Sequence, residues 1–293
     1  MSVYGIPVAT FSIVAFDPAN GDLGIAVQSR FLAVGSIVPW ARSGVGAIAV
    51  QAFPDPRQGP QGLELMAAGS SAAEALQTMM NSDPDRSVRQ MGAVDRHGRS
   101  ASYTGSDCLG WAGQITGDNF AAQGNMLVSE APVTTMAEVF DKAPGELTDR
   151  LMAALAAAQQ AGGDARGKQS AGLLVVREGS GFRGSGDQYF NLRVDDHPDP
   201  ITELSRLVEL QRTIHLCFDS IKLATEGKFD DSVKVMHEAE RREPTNVNVL
   251  YFLARAYMTA GRKKEAQEIL TRASALHPNI ALLASRDKLF ANA

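Results

Sequence analysis

Cysteine is scarce in this 293-residue chain, with Cys108 and Cys217 the whole complement. Two thiols so far apart build no disulfide framework and fit no metal-ligand spacing, so free thiols in a reducing compartment are the expectation. Charge of one sign is also lacking. The net charge is −5, and residues 201–293 carry 14 basic against 12 acidic side chains, leaving 14 and 21 for residues 1–200. Neither half has the basic excess that nucleic acid or an anionic membrane surface requires. No apolar run reaches the roughly 20 residues of a membrane span, and the N-terminus lacks the basic region of a signal peptide. The expected location is therefore cytoplasmic. What remains is ordinary for a soluble globular protein: 44% apolar and 21% charged residues, in a length suited to one large domain and a small one.

The first β-prone run opens at Thr10 and continues to Asp17. An Asn20-Gly21 step follows, then a second run, Leu23–Arg30. Two such runs around an Asn-Gly step predict a hairpin. Phe31–Val38 is apolar and punctuated by glycine, Pro39-Trp40 reads as a break, and 45–51 reads as a third strand. Two short helices are expected at 62–68 and 71–81, the second opened by a capping box of Ser71 and Glu74. Strands resume over 89–95, 100–104, 111–116 and 119–127. Helices follow over 133–142 and 146–161, then strands over 172–176 and 189–194. Blocks of strands and helix pairs, segregated in this way, favour an α+β protein with two stacked sheets and a helix pair outside each.

Residues 201–293 read as helical throughout, and they repeat. Gly227 and Gly261, Ala239 and Ala273, and Pro244 and Pro278 are each separated by 34 residues, the tetratricopeptide period. The second unit fits the pattern well, with Leu250, Leu253, Ala254, Tyr257, Gly261, Ala266, Leu270, Ala273 and Pro278; the first is looser. Residues 280–290 are then a capping helix. The domain division is 1–200 and 201–293. The helical part is expected to bind a protein partner, to self-associate into a homo-oligomer, or to dock on its own chain.

Several ungapped motifs carry a family resemblance. These are Thr-Phe-Ser-Ile-Val-Ala from Thr10, Gly-Ile-Ala-Val-Gln-Ser-Arg ending at Arg30, Val-Pro-Trp-Ala-Arg ending at Arg42, and Gly-Val-Gly-Ala-Ile-Ala-Val-Gln-Ala ending at Ala52. Thr104-Gly105, Gln123-Gly124-Asn125 and the run from Leu192 to Pro198 continue the series. From about Thr10 to Leu210 the chain resembles the domain of unknown function 1028 family, regarded as similar in fold to the N-terminal nucleophile (Ntn) hydrolases. The resemblance implies a four-layer αββα sandwich followed by the all-α tetratricopeptide-like domain. It does not supply a substrate; the expected activity is hydrolysis of linear amide or peptide-like C–N bonds in a small substrate, without a cofactor or metal.

Carried over by position, Thr10 matches the nucleophile. Its freed α-amine, with a reference pKa of roughly 7.7–8.0, would be the base. Ser29 and Arg30 match part of an Asp-Ser-Arg segment beside that nucleophile, with Gln28 in place of the acid. Arg42 falls where a lysine lowers the nucleophile's pKa; an arginine supplies field but shuttles no proton. Asn125 matches an oxyanion donor.

Read from the residues alone, Thr10 is first a β-branched strand residue, and only the resemblance sets a catalytic role level with that; Ser12 shares its face. Asp195-Asp196-His197 is the densest polar cluster, but only Asp195 and His197 share a face, and two ligands make no zinc site; a hinge capping the next helix is the plainer reading. The leader Met1–Ala9 makes the Thr10 nitrogen an amide. Catalysis therefore requires cleavage between Ala9 and Thr10, since loss of the initiator Met exposes Ser2. The alternative is a non-catalytic adaptor that binds through the cleft or the repeats.

Overall fold

The computed structural model describes residues 10–181 and 184–290. The leader Met1–Ala9 lies outside them. Two compact units divide the chain, 1–206 and 207–293. The division falls inside a continuous helix rather than at residue 200, because Pro200, helix-compatible in the first turn, begins that helix and does not end one.

Among the described residues, the first unit holds ten strands. β1 (Thr10–Phe16), β2 (Leu23–Ser29), β7 (Trp111–Gly117), β8 (Phe120–Leu127), β9 (Ser170–Val176) and β10 (Gln188–Val194) form a six-stranded sheet in the order β10-β9-β2-β1-β8-β7. β3 (Pro39–Arg42), β4 (Gly46–Ala52), β5 (Arg89–Asp95) and β6 (Ser100–Thr104) form a four-stranded sheet in that order. Pro39-Trp40 is thus not a break. The proline opens an edge strand, the place in a sheet where a missing N–H costs no ladder bond. Phe31–Val38 holds a short 3-10 turn at Val34–Ser36.

α1 (Gln58–Ala67) and α2 (Ala72–Ser82) cover the outer face of the four-stranded sheet, packing Leu63, Met66, Leu76 and Met79 onto Ile48, Val50 and Met91. α3 (Ala131–Lys142) and α4 (Leu147–Gln160) cover the six-stranded sheet; Leu151 packs so tightly on Gly24 that a Cβ there would lie 2.8 Å away. The inner faces of the two sheets meet through Val14, Ile25, Val27, Ala47, Ala49, Val94 and Ala121. These residues are apolar and mostly small or β-branched, as strands buried on both faces require.

Local signals hold where chemistry enforces them. Ser71 caps α2, its hydroxyl accepting from the Glu74 N–H while the Glu74 carboxylate accepts from the Ser71 N–H. At the β1–β2 hairpin, Gly21 takes φ +80 and Asn20 accepts the Asp22 N–H. The buried Asp22 carboxylate receives two hydrogen bonds from Arg177, whose guanidinium also stacks over the Tyr189 ring at 3.9 Å. That pairing, hydrogen bonds from Asp22 foremost, raises the Arg177 pKa further above its already high value.

The second unit is helical: α5 (Pro200–Thr225), whose N-terminal part belongs to the first unit, then α6 (Phe229–Arg242), α7 (Val247–Thr259), α8 (Lys263–Leu276) and α9 (Asn279–Arg286). Its core is Met236, Ala239, Leu250, Leu253, Ala254, Ala266, Leu270 and Ala273, most of them positions that the 34-residue period singled out. Gly227 and Gly261 take φ +76 and +73 directly after α5 and α7, the left-handed residues that end each first helix of a repeat. His237 bonds Tyr257 at 2.7 Å and Glu240 at 3.0 Å, and Glu240 pairs with Arg272, tying α6 to α7 and α8.

Ser71→Ala should lower stability by about 1 kcal/mol and Ser71→Gly by only a few tenths. Urea denaturation of the two variants checks this.

Candidate functional site

Thr10 begins the strand that lies between β2 and β8. The register sets it opposite Ser29 on one side and Asn125 on the other. Residues directly opposite share a face with Cβ atoms about 4.5–5.5 Å apart, so Thr10, Ser29 and Asn125 form one short row. That face is turned toward the four-stranded sheet, and all three residues are buried. Ser12, one step along the same face, donates to Gln51 Oε1 at 2.6 Å and accepts from Gln123 Nε2 at 2.6 Å.

From there a chain of neutral side chains crosses between the sheets. Gln51 Nε2 donates to Gln90 Oε1 at 2.8 Å, and Asn125 Nδ2 donates to the same oxygen at 2.9 Å. Gln90 Nε2 in turn donates to the Gly124 carbonyl at 2.8 Å and to Thr104 Oγ1 at 2.9 Å. One N–H of the Asn125 amide is thereby taken and one is left. Gly92 makes room: a Cβ there would overlap the Gln123 amide. No member of this network is ionisable, so it can position and polarise but cannot act as a base near neutral pH.

The other expected residues separate. Arg30 follows Ser29; its N–H donates to Asp164 Oδ2 at 3.0 Å, and its exposed guanidinium donates to the Lys168 carbonyl at 3.1 Å. Arg42 is not in the site. It stands opposite Gly46 on an edge strand and bonds Glu64 and the Leu63 carbonyl of α1. Gly46 and Gln51 are five residues apart on β4, about 17 Å at strand rise, so Arg42 faces a different end of the sheet. Gln28 lies opposite Phe11, on the helix-covered face, and so on the other side of the sheet from the Thr10 side chain. Asp195 pairs with Arg193, while His197 Nδ1 accepts the Asp199 N–H, so the two do not converge on one ligand.

Two features of this strand end escaped the sequence reading. Asp164, fully buried, accepts from Arg30 N–H and pairs with Arg166, while Leu127 bridges to it from the end of β8. Nothing in the pattern of a Gly-rich loop marks such a carboxylate. The second is strain. Among the described residues, four non-glycine residues have φ in the left-handed region: Ala33, Ala52, Asn119 and Met126. Asparagine tolerates that region. The other three sit beside the site, Ala52 after Gln51, Met126 after Asn125 and Ala33 in the loop after β2. Each costs roughly 1–2 kcal/mol, and such residues concentrate at functional sites.

Around the rim, Arg89 pairs with Asp83 at 2.8 Å and also bonds the Phe53 carbonyl. Burial alone would raise the Asp83 pKa, but hydrogen bonds from Arg89, the Asp85 N–H and Gln58 outweigh it, and the carboxyl ends below its ordinary value. Cys108 lies in the β6–β7 loop at the same end, and burial pushes its thiol up, which removes it as a thiolate nucleophile at neutral pH. Among the described residues no group of three or more His, Cys, Asp or Glu is placed to hold a metal ion.

The model of a family described as of unknown function (DUF1028) matches residues 10–204, and a tetratricopeptide repeat model matches residues 223–289. The crystal structure of protein SPO2555 from Silicibacter pomeroyi, itself assigned to DUF1028, is 33% identical, covers 69% of this chain and 88% of its own, and superposes with a TM-score of 0.63. No curated protein matches the chain.

Gly92→Ala should displace the Gln123 amide and cost about 1–3 kcal/mol, read from denaturant unfolding. Asp83 contributes stability that is complete above the ordinary aspartate pKa of about 3.9 and is lost as pH falls through its lower folded value. Asp83→Asn should lose about 1.5–3 kcal/mol at pH 7 and flatten the acid limb of the stability–pH curve.

Proposed function

The chain belongs to the DUF1028 family of unknown function, and from that premise we propose that its first unit is an Ntn-type amidohydrolase with Thr10 as nucleophile. The layering of a helix pair on the outer face of each of two facing sheets supports an αββα sandwich of that kind. The observation that carries the reading is the convergence on one strand end. Thr10 opens the strand between β2 and β8, Ser29 and Asn125 flank it, and three strained non-glycine residues surround it.

Because the network behind Thr10 is neutral, the base must be the threonine's own α-amine, exposed by cleavage after Ala9. That amine takes the hydroxyl proton as Oγ attacks the amide carbonyl, and then hands it to the departing amine. The remaining N–H of Asn125 serves as the oxyanion donor. Water, activated by the same amine, hydrolyses the ester and restores Thr10. The tetratricopeptide repeats serve protein interaction.

A second reading is favoured by one specific observation: Thr10 is fully buried in the uncut chain. A protein never cleaved would use the same fold, or its repeats, only to bind. Residues 201–293 and 1–200, used separately as baits, would then each be judged by retained partner.

Intact mass of protein matured in its native cell should show an N-terminus at Thr10; a Met1 or Ser2 terminus ends the free-threonine mechanism. In cleaved protein, amidase kcat/KM should rise with pH through about 7–8 as the α-amine becomes neutral. Thr10→Ala should abolish turnover while costing less than about 1.5 kcal/mol of stability.

A further inference from the structure

Among its described residues the first unit leaves three large apolar side chains well exposed, Leu32 (58%), Leu109 (46%) and Val128 (54%), and all three lie at the end of the sheets where Thr10 lies. Leu109 is held there by its carbonyl, which accepts the N–H of Met126, the residue after Asn125. Val128 follows β8; its N–H donates to the Gly163 carbonyl, and its side chain abuts Gly162. Leu32 follows Arg30 on the β2 side. Scattered exposed apolar residues carry no message, but a set confined to one strand end does.

Charge on the same rim is uneven. Arg166 pairs with Asp164 at 2.9 Å and Lys168 with Asp199 at 2.6 Å. Arg30 differs: its guanidinium donates to a neutral carbonyl, and among the described residues no carboxylate lies within ion-pair distance of it. Its backbone is nevertheless anchored by Asp164. A fixed, exposed guanidinium with a neutral partner suits a carboxylate ligand, which it can bind through two parallel hydrogen bonds.

We infer that this rim recognises a short peptide-like ligand in which an apolar side chain and a free carboxylate lie on opposite sides of the amide over Thr10. Arg30 takes the carboxylate on the β2 side, and Leu109 and Val128 take the apolar group on the β8 side. The spacing agrees: β2 and β8 are two strand spacings apart, about 10 Å, which two to three extended residues span. The inference rests on the reading of the Thr10 strand end as a substrate site and gives that site its ligand class.

The test is calorimetric binding of N-acetyl-Leu-Leu with a free carboxylate, and of the same peptide as its C-terminal amide, to the full chain cleaved before Thr10 and carrying Thr10→Ala. The acid should bind at least tenfold more tightly than the amide. Adding Arg30→Gln should bring that ratio close to one, while Leu109→Ser with Val128→Ser should weaken both ligands several-fold and leave the ratio intact. The three rim side chains are exposed, and unchanged melting temperatures check that the variants fold. Equal binding of acid and amide, no binding of either, or a ratio indifferent to Arg30→Gln overturns the inference. Binding is read without turnover, so discrimination here together with no hydrolysis by the cleaved chain that keeps Thr10 would sink the amidase reading and leave this one standing.

Discussion

The interface between the two sheets depends on a neutral hydrogen-bonded chain, Gln123–Ser12–Gln51–Gln90–Asn125, buried among apolar strands. An amide or hydroxyl buried without a partner costs several kcal/mol. These side chains therefore constrain one another. Moving β1 by one residue against β8 would turn Ser12 toward the helices and strand Gln51 and Gln123 together. Gly92 is the complement of that constraint, since only a residue without a side chain leaves space for the Gln123 amide. The apolar core makes the sheets stack, and the polar chain specifies how.

That same constraint shapes the chemistry. A network without an ionisable member holds a threonine rigidly but leaves its activation to a group supplied from elsewhere, and the nearest such group is the threonine's own nitrogen. The buried carboxylate at this end, Asp164, is committed to Arg166 and to the Arg30 N–H. The strained residues Ala52 and Met126 are tolerated because strand pairing and the network over-determine their positions. Strain and polarity thus collect at the strand end that also carries the exposed Leu109 and Val128.

Much of the architecture was legible locally. The capping box at Ser71, the turn at Asn20-Gly21 and the glycines 34 residues apart each express chemistry contained within a few residues, and each appears as read. The errors arose where context decides. Pro39 looked like a terminator because its missing N–H is costly inside a sheet, yet on an edge strand that N–H would have faced no partner. Arg42 and Gln28 were placed near Thr10 by position in the chain, but strand length separates the first and pleat alternation the second.

By itself the sequence determined most of the elements, the repeat in the helical unit, and the pairing of Ser12 with Thr10 on one face, because periodicities of 2, 3.6 and 34 are properties of the chain alone. Only tertiary structure decided which polar residues meet. Ser12 and Gln123 are 111 positions apart and Arg30 and Asp164 are 134 apart. No local pattern encodes such pairs, since strand order and sheet stacking bring them together only after the chain has folded. The site at Thr10 is therefore a product of packing, assembled from residues that individually read as ordinary strand and loop.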